Sequence, residues 1–174
     1  MVVVMVAALA FVLQHGALAP FLDRPIHRLL HIVGAIFFLG NVAVGALWLG
    51  FADASGSRAV LRFATRMVNI ADLVFTGPAA LLLFVNGAAL ASAWGGLGAQ
   101  PWLARSVFLF GVLALLWALV LVPLQIQIEN RIEAEGDVPA PLSAPLRKRL
   151  IAYFIVGGAA GVLALASLII MVLR

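Results

Sequence analysis

Arg28-Leu-Leu-His31-Ile-Val-Gly34-Ala-Ile-Phe-Phe38-Leu-Gly-Asn41-Val-Ala-Val-Gly45-Ala-Leu-Trp48 is a run long enough to cross a bilayer, with a histidine just inside one end. At about 100° per residue, His27, His31, Gly34, Phe38, Asn41, Val42 and Gly45 share one side of a helix. That side mixes imidazole, amide and glycine, whereas Ile32, Ile36, Phe37 and Leu39 lie mostly elsewhere. Hydrocarbon disfavours the first set, so this face is expected to look into a protein interior.

The rest of the chain has the same character. Of 174 residues, 65% are hydrophobic and only 10% charged, against about 25% charged in an ordinary soluble domain. The mean hydropathy is +1.17. This composition identifies an integral membrane protein, and the net charge of +4 follows from topology without nucleic acid as a partner. No cysteine is present, which excludes disulfides, thiolate-bound zinc and iron–sulfur clusters. The histidines are His15, His27 and His31.

Four spans of about 20 residues or more are expected, at roughly 27–51, 70–94, 103–127 and 150–173. They make an all-α fold, a four-helix transmembrane bundle over residues 23–174. Residues 1–22 form a separate apolar segment, read as a fifth, N-terminal helix in preference to an interfacial segment or a cleaved leader. Arg58, Arg62 and Arg66 recur every four residues, a stripe expected to snorkel to phosphate headgroups. Pro78 and Pro123 are expected to kink their helices, and Gln125, Gln127, Glu129 and Asn130 to end the third at the membrane surface. An acidic, proline-rich linker over 132–145 precedes Arg147-Lys148-Arg149.

Seven basic residues (Arg58, Arg62, Arg66, Arg131, Arg147, Lys148, Arg149) fall on one side of the membrane and four (Arg24, Arg28, Arg105, Arg174) on the other. The first group is assigned to the cytoplasm of a bacterial inner membrane, which puts His31 near the outer face.

Buried polar residues are the candidates for chemistry. Asn69, Asp72, Thr76, Ala79, Leu83, Asn86 and Gly87 share one side of the second helix on a regular wheel. Asp72 is the one acid set within a span; a structural anchor paired with Arg66 or Arg131 is preferred over a proton relay because the basic face is close. Asn41, Asn69 and Asn86 complete the buried polar set. His27 and His31 offer only two nitrogens one turn apart, too few for a zinc or copper site. A single histidine suffices for haem b, with Arg24, Arg28 and Arg105 at the right level for propionates, and Gly34 and Gly45 are expected to leave room for the ring. In the fourth span Gly157 and Gly161 stand in GxxxG spacing within a small-residue stripe.

Leu30-His31-Ile-Val-Gly-Ala35, the segment Arg66–Gly87 with Asp72 and Pro78, Trp102-Leu103, and Pro123-Leu-Gln125 resemble a family of small bacterial membrane proteins of unknown function. More distantly the chain is similar to HemJ-type protoporphyrinogen oxidases and CopD-type copper-resistance proteins. The resemblance covers about residues 27–173. It implies four helices, His31 as the haem-associated histidine, and Arg105 where HemJ proteins carry a lysine after Trp-Leu. Arginine is a poor iron ligand, and a histidine late in the third helix is absent, which argues against the oxidase activity itself. The leading expectation is a haem b-binding inner-membrane protein that handles electrons or haem, with His31 as iron ligand, His27 as a second candidate, and Arg28 and Arg105 at the propionates. The alternative is a non-catalytic accessory subunit of a larger membrane complex, or a homo-oligomer, joined through Gly157 and Gly161. Copper handling rests on His27 and His31 alone.

Overall fold

A computed structural model describes residues 10, 14, 16–136 and 142–173, and among them every regular element is helical. The run Val2–Leu13, His15, the middle of the 132–145 linker and Arg174 lie largely or wholly outside the described residues. Four helices make a multi-pass membrane bundle: α1 (Arg24–Ala54), α2 (Arg58–Trp94), α3 (Pro101–Glu135) and α4 (Ala144–Val172). The first three contain their expected spans, α4 ends one residue short of 173, and all four start ahead of the expected first residue. The basic approach Arg58–Asn69 is continuous with the second span, and Gln125 lies well inside α3 rather than at its end.

Local chemistry sets the helix starts. Ser57 and Ser143 accept hydrogen bonds from the amides of Val60 and Leu146, as N-caps do. Pro25, Pro101 and Pro145 sit in first turns, where no N–H is required. Ile36, Leu73, Leu119 and Ile155, one from each helix, are 65%, 61%, 69% and 67% exposed. Such a ring of apolar surface suits lipid and no aqueous solvent.

The prolines act differently from simple kinks. Asp72–Thr76 and Trp117–Leu121 are π turns that end just ahead of Gly77-Pro78 and Val122-Pro123. The Gly77 and Val122 amides reach five residues back, to the carbonyls of Asp72 and Trp117. Proline lacks an N–H and its ring crowds the carbonyl four residues earlier; the wider turn relieves both defects. In α2 beyond the π turn, buried positions recur every four residues, at Thr76, Ala80, Phe84 and Ala88.

α1 packs along the second half of α2, and the first half of α3 packs along α4. Gly34 permits the first of these contacts: a Cβ there would stand 2.8 Å from the Leu83 amide nitrogen and 3.0 Å from the Ala79 carbonyl oxygen. Gly45 faces the Val68 side chain. These two glycines therefore bring α2 close to α1, which corrects the expectation that they leave room for a flat ring.

At the end of the bundle rich in arginine, large aliphatic side chains close the core, among them Leu61, Ile128, Ile132, Leu146 and Leu150. Ion pairs cap it. Arg58 lies 3.4 Å from Glu135, which also pairs with Arg131 at 3.2 Å, and Arg147 lies 2.7 Å from Asp53. Ser143 donates to Glu135 as well. Arg58 is thus held by a carboxylate on α3, a correction to the expectation that the whole stripe reaches for headgroups; Arg66 is exposed.

Candidate functional site

At the opposite end, His27 is 1% exposed and uses both ring nitrogens. Its Nδ1 lies 2.7 Å from Asn86 Oδ1, while Nε2 accepts from the backbone N–H groups of Leu22 (3.1 Å) and Phe21 (3.3 Å). Asn86 is oriented in turn by donating to the Leu82 carbonyl at 2.8 Å. An Nε2 that accepts fixes the proton on Nδ1. His27 therefore ties the segment ahead of α1 to α2, and in this arrangement has no lone pair for a metal. Among the described residues, no group of three or more His, Asp or Glu side chains is gathered for a metal ion.

His31 differs in one decisive respect. Its Nδ1 lies 2.7 Å from the Leu83 carbonyl oxygen, which can only accept, so the proton is on Nδ1 and the lone pair on Nε2. No hydrogen bond to Nε2 is made among the described residues. Gly87 makes this possible, since a Cβ there would stand 2.9 Å from His31 Cε1.

The imidazole lies in the wall of a cavity of about 590 Å³ bounded by all four helices. Its lining is mostly apolar, and aromatic on several sides. Phe84 and Phe110 stack at 5.9 Å with planes 4° apart, and Trp94 meets Trp102 edge-on at 5.8 Å. Arg28, one turn ahead of His31, and Met171 of α4 also line it. The lining residues Ile36 and Val172 are 65% and 68% exposed, so the cavity opens sideways between α1 and α4. Arg105 is exposed on α3 and is not part of the wall.

A second polar group lies at mid-bundle. Asp72, at the start of its π turn, accepts from Asn41 Nδ2 (3.1 Å), Thr76 Oγ1 (2.7 Å) and Gln125 Nε2 (2.6 Å), with Trp117 Nε1 at 3.5 Å. Gln125 also donates to the Tyr153 hydroxyl at 3.1 Å, so the layer joins all four helices. The expected arginine partner is absent: Arg131 pairs with Glu135, Arg66 is exposed, and Asp72 is held by neutral donors. Asn69 donates to Glu129. Gln125 is 5% exposed, and with Trp117 and Tyr153 it forms the part of this layer that sequence reasoning missed. The nearest signal was Gln125 two residues after Pro123 in an otherwise apolar helix.

Residues 25–174 match a protein family described as "Predicted integral membrane protein (DUF2269)", and the chain belongs to that family. No curated protein and no solved structure matches the chain.

Proposed function

We propose that this member of the family binds haem b in the His31 cavity, with Nε2 of His31 as axial ligand, in a bacterial inner membrane. The observation that carries this reading is the tautomer of His31. Its Nδ1–H is held by the Leu83 carbonyl at 2.7 Å, and such a hydrogen bond raises the basicity of a ligating histidine and fixes its ring. The residues present fit the group. A cavity of about 590 Å³ lies within the range of small-molecule and cofactor sites. Aromatic walls suit a flat macrocycle, and the Arg28 guanidinium suits a carboxylate at the rim. Met171 lines the same cavity and would offer the group a thioether. When bound, haem supplies one-electron transfer or ligand binding at iron. The protein's part is to hold that face of the imidazole deprotonated, exclude water with Phe84 and Phe110, and anchor the acidic edge.

Protein expressed with haem supplied should show a Soret band. His31→Ala should reduce haem per protein at least about tenfold, and Arg28→Gln should weaken retention without abolishing it. Folded protein without a Soret band would overturn the reading.

The accessory-subunit reading draws on the outer side of α4, where a Cβ on Gly157, Gly158 or Gly161 would meet nothing within 4 Å. That smooth surface suits close approach of another helix. Co-purification with a larger complex, lost in Gly157→Leu/Gly161→Leu, would favour it.

For orientation, the arginine-rich end faces the cytoplasm by the seven-to-four excess of basic residues. Ser57→Cys and Ser143→Cys should resist an impermeant thiol reagent on spheroplasts, whereas Gly98→Cys should react. The opposite pattern would invert the topology.

A further inference from the structure

Arg147-Lys148-Arg149 stands just before the apolar run of α4, and nothing at the His31 site uses it. The three cations have unlike surroundings. Arg147 is neutralised by Asp53 at 2.7 Å. Arg149 is held in place by neutral acceptors, with Nε 3.2 Å from Gln127 Oε1 and Nη1 3.3 Å from the Pro145 carbonyl. Its guanidinium is therefore oriented, and among the described residues it forms no ion pair. Lys148 is exposed and forms no ion pair among the described residues. Of the α3 carboxylates, Glu135 pairs with Arg58 and Arg131, and Glu129 accepts from Asn69.

Lys148 and Arg149 border a shallow groove of about 500 Å³ between α3 and α4, floored by Leu124, Ala144, Pro145 and Ala152. The cations precede the apolar run of α4, whereas Leu124 and Ala152 belong to apolar stretches. The groove thus passes from headgroup level into hydrocarbon. We propose that it binds one anionic glycerophospholipid, with the phosphodiester on Arg149 and Lys148 and an acyl chain along Leu124 and Ala152. Basic grooves between helices on the basic side of a membrane protein suit such headgroups. A zwitterionic lipid would fill the floor but bring its own cation to the rim. Free phosphate would meet the cations and leave the floor uncovered.

Native mass spectrometry of the full chain in detergent, with phosphatidylglycerol or phosphatidylcholine added, tests this. Each cation at the surface favours an anionic lipid by about fivefold, so retention of phosphatidylglycerol should exceed that of phosphatidylcholine by at least about tenfold. Lys148→Gln/Arg149→Gln should erase that preference. Lys148→Gln alone, at an exposed position that leaves folding intact, should lower it about fivefold. Arg147→Gln, whose cation is already balanced, should leave it within about twofold. Inorganic phosphate should not displace the bound lipid. Equal retention of the two lipids, an Arg147→Gln loss as large as that of the double variant, or displacement by inorganic phosphate would each overturn the proposal.

Discussion

The two ends of the bundle are built from the same four helices, yet one is closed and the other hollow. At the arginine-rich end the facing positions hold Leu61, Ile128, Ile132, Leu146 and Leu150, each at most 2% exposed. At the histidine end the helix contacts are made by Gly34, Gly87, Ala88, Ala160 and Ala164. Small residues draw α1 onto α2 and α3 onto α4, and at this end the aromatic rings of Phe38, Phe84 and Phe110 meet across the two pairs. Tight packing within pairs leaves space between them. The hollow end is therefore a product of close packing, and it coincides with the one histidine nitrogen left without a hydrogen bond among the described residues.

The contrast breaks first at its cores. Ile132→Ala removes a side chain that is 1% exposed and should cost about 2–5 kcal/mol, whereas Ile36→Ala, in the cavity wall and 65% exposed, should cost less than about 1 kcal/mol. Denaturant unfolding in detergent micelles measures both, and equal costs would mean that the two ends are packed alike.

The layer between them comes next. Asp72→Leu strands the donors of Asn41 and Gln125 and should cost about 2–3 kcal/mol, with Asp72→Asn near half of that. Adding Gln125→Leu to Asp72→Leu should recover part of the loss, because an apolar pair leaves fewer unmet partners. Full additivity in this double-mutant cycle would show that the Asp72–Gln125 hydrogen bond carries no coupling.

The smallest effect sharpens the hollow end. Gly87→Ala would place a methyl 2.9 Å from His31 Cε1, so the imidazole or α1 must shift. A loss of about 1 kcal/mol is expected. Any haem retention should fall more than stability does, and unchanged retention would separate the glycine from the site.

Much of this was legible in the chain. The four spans follow from hydropathy, His31 stood out as an imidazole in an apolar helix, and Asp72 as the one acid within a span. The roles of their neighbours were not legible, for a reason visible in α2. A regular wheel puts Asn69, Asp72, Asn86 and Gly87 on one face, but the π turn at Asp72–Thr76 inserts a residue and splits that face. Asn69 turns to Glu129 of α3, Asp72 to Asn41 and Gln125, and Asn86 to His27. His27 and His31, equivalent on paper, are separated by their partners on a helix more than 50 residues away.

Sequence alone determined the all-α class, the four membrane crossings and the basic end, because hydropathy and charge are sums over neighbouring residues and need no partner. Tertiary structure alone decided which histidine keeps a lone pair, that Asp72 is held by neutral donors, and where the bundle is hollow. Those outcomes depend on differences between side chains brought together from separate helices, and on helix phase shifted by two prolines, neither of which a local reading of the chain contains.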